Sequence, residues 1–160
     1  MNCQCARIGG LSLASAAPGK NKERWFRDYL VTQVKKQGLK IKLGVDVSSD
    51  MADKINPDVI NVATGETSSV PDIPGIRESK VTTAWDVLKV DVNLKEEEVV
   101  ILGGGVVGCE TAEYLAGQGK TVTVIEMLPK MAHAMEPLNR HALIEEVKKL
   151  KITLLTAKKR

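Results

Sequence analysis

Apolar residues recur along the chain with two periods, and the switches between them mark alternating helices and strands. Trp25, Phe26, Tyr29, Leu30 and Val34 fall on one face of a helix. They predict a helix over 22–37, capped by Asn21 and stopped by Gly38, where a left-handed residue is cheap. Leu39, Ile41, Leu43, Val45 and Val47 then alternate with polar residues, the period of a half-buried strand. A short helical turn over 51–55 precedes Pro57, and 58–64 reads as a buried strand ending in Ala63-Thr64-Gly65. Pro71-Asp72-Ile73-Pro74-Gly75 is dense in turn formers and starts a crossover. Beyond it, Val99-Val100-Ile101-Leu102 is an unbroken apolar run, expected of a central parallel strand covered on both faces. A helix over 107–116, a strand over 122–125, a helix with Pro137 near its first turn and a strand over 152–155 complete the pattern. The alternation predicts an α/β layered domain, and the glycine-rich turn from Gly103 to Gly108 between a strand and a helix makes it a Rossmann-like parallel sheet with a β-α-β unit plus a partial second lobe.

An internal echo supports two lobes. Val34-Lys35-Lys36-Gln37-Gly38-Leu39-Lys40-Ile41 resembles Val147-Lys148-Lys149-Leu150-Lys151-Ile152, both at a helix-to-strand handover. If the lobes are copies, the first copy's glycine loop falls upstream of Met1, and the counterpart of 58–65 falls beyond Arg160. The expected division is 1–92, a partial lobe with the crossover, and 93–160, a second partial lobe.

Composition narrows the partners. With 43% hydrophobic and 27% charged residues, the chain reads as a folded globular protein. Its net charge is only +3 and its one basic run is Lys158-Lys159-Arg160, so no nucleic-acid partner is expected. No apolar stretch reaches membrane-spanning length. Arg7, the apolar residues 8–14 and Ala14-Ser15-Ala16 loosely imitate a signal peptide, but Gly9 and Gly10 interrupt the short apolar region. Cys3, Cys5 and Cys109 are odd in number, which favours a reducing compartment, and a cytoplasmic location is expected. Three thiols cannot ligate a four-cysteine cluster. Cys3 and Cys5 are expected to be free, and Cys109, beside a helix start that could lower its pKa, is expected to pack in the core. His133 and His141 lack metal-ligand companions, so no metal site is expected, and His141 reads as a helix-surface residue. No catalytic residue emerges.

The chemistry sits in Gly103-Gly104-Gly105-Val106-Val107-Gly108. This G-x-G-x-x-G follows a strand, opens a helix and has Glu126 at the end of the next strand, about 20 residues on. Gly103 permits the tight turn, Gly105 lets a pyrophosphate approach the backbone, and Gly108 lets the helix pack on the strand. The helix amides, beginning near Val106 and Val107, face the phosphates. Glu126 is expected to accept hydrogen bonds from the adenosine ribose and to repel a 2′-phosphate, favouring NAD(H) over NADP(H). Met127 stands where an arginine would bind that phosphate, although Lys130 is near.

Ile101 to Leu115 in full, Ile-Leu-Gly-Gly-Gly-Val-Val-Gly-Cys-Glu-Thr-Ala-Glu-Tyr-Leu, resembles the pyridine-nucleotide region of the Old Yellow Enzyme-type NADH:flavin oxidoreductases, the 2,4-dienoyl-CoA and 2-enoate reductases. The resemblance extends to 13–20, 58–65, 70–76, 81–88 and 135–143, whereas 1–7 does not fit. It implies that 1–92 belongs to an FAD lobe with Ala63, Thr64 and Gly65 near FAD, and that 93–160 binds NAD(H). It also implies FMN and an iron–sulfur cluster outside this chain, and electron flow from NADH through FAD toward an activated alkene. The implied partners are the nicotinamide dinucleotide and the flavin and barrel regions of a parent enzyme, with self-association left open. The chain alone is expected to be catalytically incomplete. The alternative is a non-catalytic ADP- or dinucleotide-binding, or truncated structural, module.

Overall fold

The computed structural model describes residues 15–65, 68–88 and 94–156. The expectations for Cys3, Cys5 and the residues before 15 lie outside them, as does the basic run at 158–160. Helix α1, Asn21–Lys36, carries Glu23 in its first turn and Lys35 and Lys36 in its last, complementing its dipole. Its N-cap is Lys20, which makes no side-chain capping bond, so Asn21 is the first helical residue rather than the cap. Gly38 ends it at φ +66°. None of its residues is buried, and Trp25 is 69% exposed.

The alternating stretch 39–47 forms no strand, and neither does 58–64; both expectations are corrected. A strand is defined by its hydrogen-bonded neighbour, and every strand among the described residues lies within 98–156. Their apolar side chains accordingly stay exposed, Val47, Val59 and Val62 most of all. Between them, α2, Ser49–Ile55, is capped by the Ser48 hydroxyl, which accepts from the Met51 amide, and ends at Asn56 in the left-handed region. The turn expected at 71–75 is present, with Gly75 at φ +83° and the Ile76 amide donating to the Ile73 carbonyl. In α3, Ala84–Leu88, Val87 and Leu88 are buried. The Thr83 hydroxyl accepts from the Asp86 amide and donates to the Asp86 carboxylate.

The remaining elements are β1, Glu98–Leu102; α4, Val106–Ala116; β2, Thr121–Glu126; α5, Pro137–Lys149; and β3, Thr153–Thr156. The strands form one parallel sheet in the order β1-β2-β3, with Val99 opposite Val122 and Thr123 opposite Thr153. The core gathers Cys109, Ala112 and Leu115 of α4, Val122 and Val124 of β2, Val147 of α5, Ile152, Met131, Ala132 and Val87. Full burial of side chains such as Leu115, Val124 and Val147 is worth about 1.5–3 kcal/mol each.

β1 is not covered on both faces as its apolar run suggested. Val99 and Ile101 pack against the core while Val100 and Leu102 are 60% and 53% exposed. Successive right-handed crossovers between strands taken in spatial order put both connecting helices on one side of the sheet, and among the described residues Val100 and Leu102 on the other side stay exposed. The segment before α1 reaches the same unit. Ser15 and Ala17 are buried, and the Lys20 ammonium pairs with the carboxylate of Glu110 on α4 at 2.5 Å.

Candidate functional site

Where β1 ends, the chain turns sharply into α4, and each of four glycines meets a different demand. Gly103 takes φ +106°, open to glycine and costly for any other residue. A Cβ on Gly108 would lie 1.9 Å from the Gly103 carbonyl oxygen, so close helix–strand packing requires glycine there. A Cβ on Gly104 would lie 2.2 Å from Met131 Sδ and 2.9 Å from Glu126 Cβ. Gly105 differs, since its φ is −67° and an added Cβ would meet nothing within 4 Å. Neither backbone conformation nor packing demands glycine at 105. The open side of the loop therefore lies over Gly105, which is also the N-cap of α4.

No side chain caps α4, and no acidic residue occupies its first turn. Its leading amides and the positive end of its dipole are thus available to an anion. Val106 packs partly against the core and Val107 is exposed.

Glu126 ends β2 with its side chain turned into this loop. Its Oε2 accepts from the Gly104 amide and its Oε1 from the Leu128 amide, both at 2.7 Å. Each carboxylate oxygen has a further lone pair, so the group anchors the loop and keeps acceptor capacity. Met127 and Lys130 are exposed beside it.

The sequence reading passed over Met131, Ala132 and Arg140. Met131 and Ala132 are buried, the Ala132 amide donates to the Gly104 carbonyl at 2.6 Å, and Arg140 Nε donates to the Met131 carbonyl at 2.7 Å. A signal was available: Met131, Ala132 and Met135 are apolar residues in a connection bounded by Pro129 and Pro137.

Cys109 lies in the core as expected, its thiol 3.5 Å from the Gly104 carbonyl. Burial pushes its pKa up to about 11 and outweighs the lowering hydrogen bond from the Ala132 backbone, so it stays a protonated packing residue. On the same helix burial also raises Glu113, helped by the nearby Glu146 and Glu110 and opposed by Lys20. His133 and His141 are exposed, His141 on the surface of α5. Ala63, Thr64 and Gly65 are exposed too and lie outside the hydrogen-bonded cluster around the loop.

The match of this chain to known proteins covers the loop and both flanks. Residues 16–159 match the family model of the pyridine nucleotide-disulphide oxidoreductases. The chain is 42% identical over 153 residues to an NADH oxidase of Thermoanaerobacter brockii, covering 94% of this chain and 24% of that protein. It is 36% identical over 151 residues to a bilirubin reductase of Mediterraneibacter gnavus, covering 94% of this chain and 23% of the relative. A solved 2-naphthoyl-CoA reductase, in complex with 2-naphthoyl-CoA, superposes with a TM-score of 0.88 at 32% identity, over 96% of this chain and 23% of that one. The chain thus spans about a quarter of the length of the proteins it matches. On its glycine loop, its parallel sheet and this match, the chain belongs to the pyridine nucleotide-disulphide oxidoreductase family, whose nucleotide chemistry is that of NAD and FAD.

Proposed function

We propose that the chain is the NAD(H)-binding segment of a flavin-dependent oxidoreductase of the Old Yellow Enzyme type, whose end substrate is an activated alkene. Gly105 carries this reading. A loop glycine that the protein's own packing does not require, at the uncapped start of a helix, is accounted for by a ligand lying against its backbone, and the motif context makes that ligand a pyrophosphate. Gly103, Gly104 and Gly108 shape the loop, the amides from Gly105 through Val106, Val107 and Gly108 receive the phosphates, and the free acceptor sites of Glu126 take the ribose hydroxyls. A carboxylate there repels a 2′-phosphate, so NADH is preferred over NADPH. When bound, NADH supplies a hydride for FAD to accept, chemistry that fixed side chains lack.

Residues 93–160 form the NAD lobe in this reading, and 1–92 are part of an FAD lobe with its crossover, Ala63, Thr64 and Gly65 facing FAD. FMN and the iron–sulfur cluster belong to other parts of the parent enzyme. Relatives named for reducing bilirubin and for acting on 2-naphthoyl-CoA support a conjugated, electron-poor end substrate. The odd cysteine count favours a reducing, cytoplasmic setting.

The test titrates NADH and NADPH into the parent chain and into Gly105→Val. The parent is expected to bind NADH more tightly, and Gly105→Val to lose NADH while melting close to the parent, because its side chain enters open space. Undiminished NADH binding by the variant overturns the placement of the pyrophosphate. Tighter NADPH binding overturns the role given to Glu126.

A further inference from the structure

The glycine loop rests on a corner of chain, Met131 and Ala132, that lies outside the Gly103 to Gly108 motif and its Glu126. Ala132 is fully buried and adopts φ +47°, a left-handed conformation that costs a residue with a Cβ on the order of 1–3 kcal/mol and persists only where its surroundings impose it. Three contacts impose it. The Ala132 amide donates to the Gly104 carbonyl at 2.6 Å. Met131 fills the space that a Gly104 side chain would need. From the first turns of α5, Arg140 Nε donates to the Met131 carbonyl at 2.7 Å. Arg140 is half-buried, and a hydrogen bond from a charged donor is among the stronger ones a carbonyl can receive.

The consequence for the loop follows from peptide geometry. In a trans peptide the carbonyl and the following amide point in opposite directions, and the chain contains no cis bond among the described residues. Holding the Gly104 carbonyl toward Ala132 therefore turns the Gly105 N–H the other way, to the side where an added Gly105 Cβ would meet nothing. The preceding peptide is fixed as well, because the Gly104 amide donates to Glu126 at 2.7 Å. Both peptides flanking Gly104 are pinned, one from β2 and one from the Met131 and Ala132 corner.

We infer that Arg140 is a positioning residue for dinucleotide binding: through the Met131 and Ala132 corner it presents the Gly105 amide to the pyrophosphate. The inference rests on the proposed NAD(H) reading. Arg140 acts by orienting the donor, and its loss leaves a buried carbonyl, that of Met131, without this partner.

The experiment uses the full chain, ¹⁵N-labelled, as the parent and as Arg140→Ala, Arg140→Lys and Arg140→Gln. It reads the NADH dissociation constant, the melting temperature, and the amide resonances of Gly104, Gly105 and Ala132. Arg140→Ala is expected to weaken NADH binding about tenfold, the worth of one charge-assisted hydrogen bond, and to move the Gly105 and Ala132 amide signals before any ligand is added. Arg140→Lys, which keeps a cationic N–H donor, should recover most of the affinity. Arg140→Gln has too short a reach and should behave like Arg140→Ala, which supplies the answer if the alanine variant does not fold. A lower melting temperature with unchanged NADH affinity and unmoved Gly105 signal overturns the positioning role and leaves the dinucleotide reading intact. A parent that binds no NADH overturns both.

Discussion

Helices α1 and α5 finish in the same way and lead to opposite outcomes. Each runs out through a Val-Lys-Lys triplet, Val34-Lys35-Lys36 and Val147-Lys148-Lys149. Each then places a residue in the left-handed region, Gly38 at φ +66° and Lys151 at φ +56°, and turns into apolar sequence. After α5, Ile152 is buried and β3 pairs along β2. After α1, Leu39, Ile41 and Leu43 remain exposed and unpaired. The difference lies in what each segment can reach. A helix satisfies its own backbone and forms from local sequence, whereas a strand exists only beside another strand, and β3 has β2 while 39–47 pairs with no strand among the described residues.

The strongest way to break this comparison is to remove equivalent bulk from both regions. Leu115 is 2% exposed beneath the sheet and Leu43 is 48% exposed. Leu115→Ala is expected to cost about 2–5 kcal/mol through lost burial and a residual cavity, and Leu43→Ala to stay within about 0.5 kcal/mol. Urea unfolding of both variants measures the contrast. A comparable loss at Leu43 would mean that the first region is packed in solution.

The same contrast explains what was legible in the sequence. The three strands and helix α4 of 98–156 could be placed to within a residue at each end, and α5 by its Pro137 start, since period, glycine punctuation and a paired neighbour all agree there. Gly103, Gly105, Gly108 and Glu126 could be singled out as candidates because the dinucleotide motif fixes their spacing, and the structure brings them to one strand-to-helix turn. The strands expected at 39–47 and 58–64 rested on an equally clean alternation, but alternation tells which face a strand would bury and carries no information on whether a partner is present. Asn21 was mistaken for a cap because Lys20, paired with Glu110, holds that position instead. The reason Gly104 must be glycine was hidden as well, because it depends on Met131, distant in sequence and outside any periodic pattern. Arg140 was invisible for the same reason, its role lying in a single bond to a loop carbonyl.

A sharper test exchanges the residues at the two helix ends. Gly38 takes its left-handed conformation without a Cβ penalty, while Lys151 adopts nearly the same φ with one. Lys151→Gly should therefore raise stability, by up to about 1 kcal/mol, since relief of the left-handed strain is partly offset by the greater freedom of glycine in the unfolded chain. Thermal and urea unfolding of this variant against the parent gives the sign. Destabilisation would show that the lysine side chain contributes more at this turn than its backbone costs.

The smallest expected effect separates the starts of the two helices by pH. At the N-cap of α5, Glu136 Oε2 accepts from the Leu138 and Asn139 amides, each at 3.0 Å, and these two bonds hold its carboxyl below the ordinary glutamate range. At the N-cap of α1, Lys20 offers no acceptor. Because the folded-state pKa of Glu136 is the lower one, its stabilisation is fully present above the unfolded value, about 4.3, and is lost as the pH falls through that value toward the folded one. Glu136→Gln keeps a weaker neutral acceptor and removes the titration. The parent should therefore melt above Glu136→Gln near neutral pH, with the gap closing in acid. The Leu138 and Asn139 amide resonances should titrate with a midpoint below that of a free glutamate, while the Lys22 and Glu23 amides at the start of α1 should show no capping titration of this kind. A gap that persists unchanged below the folded pKa would mean that the carboxylate charge is not what caps α5.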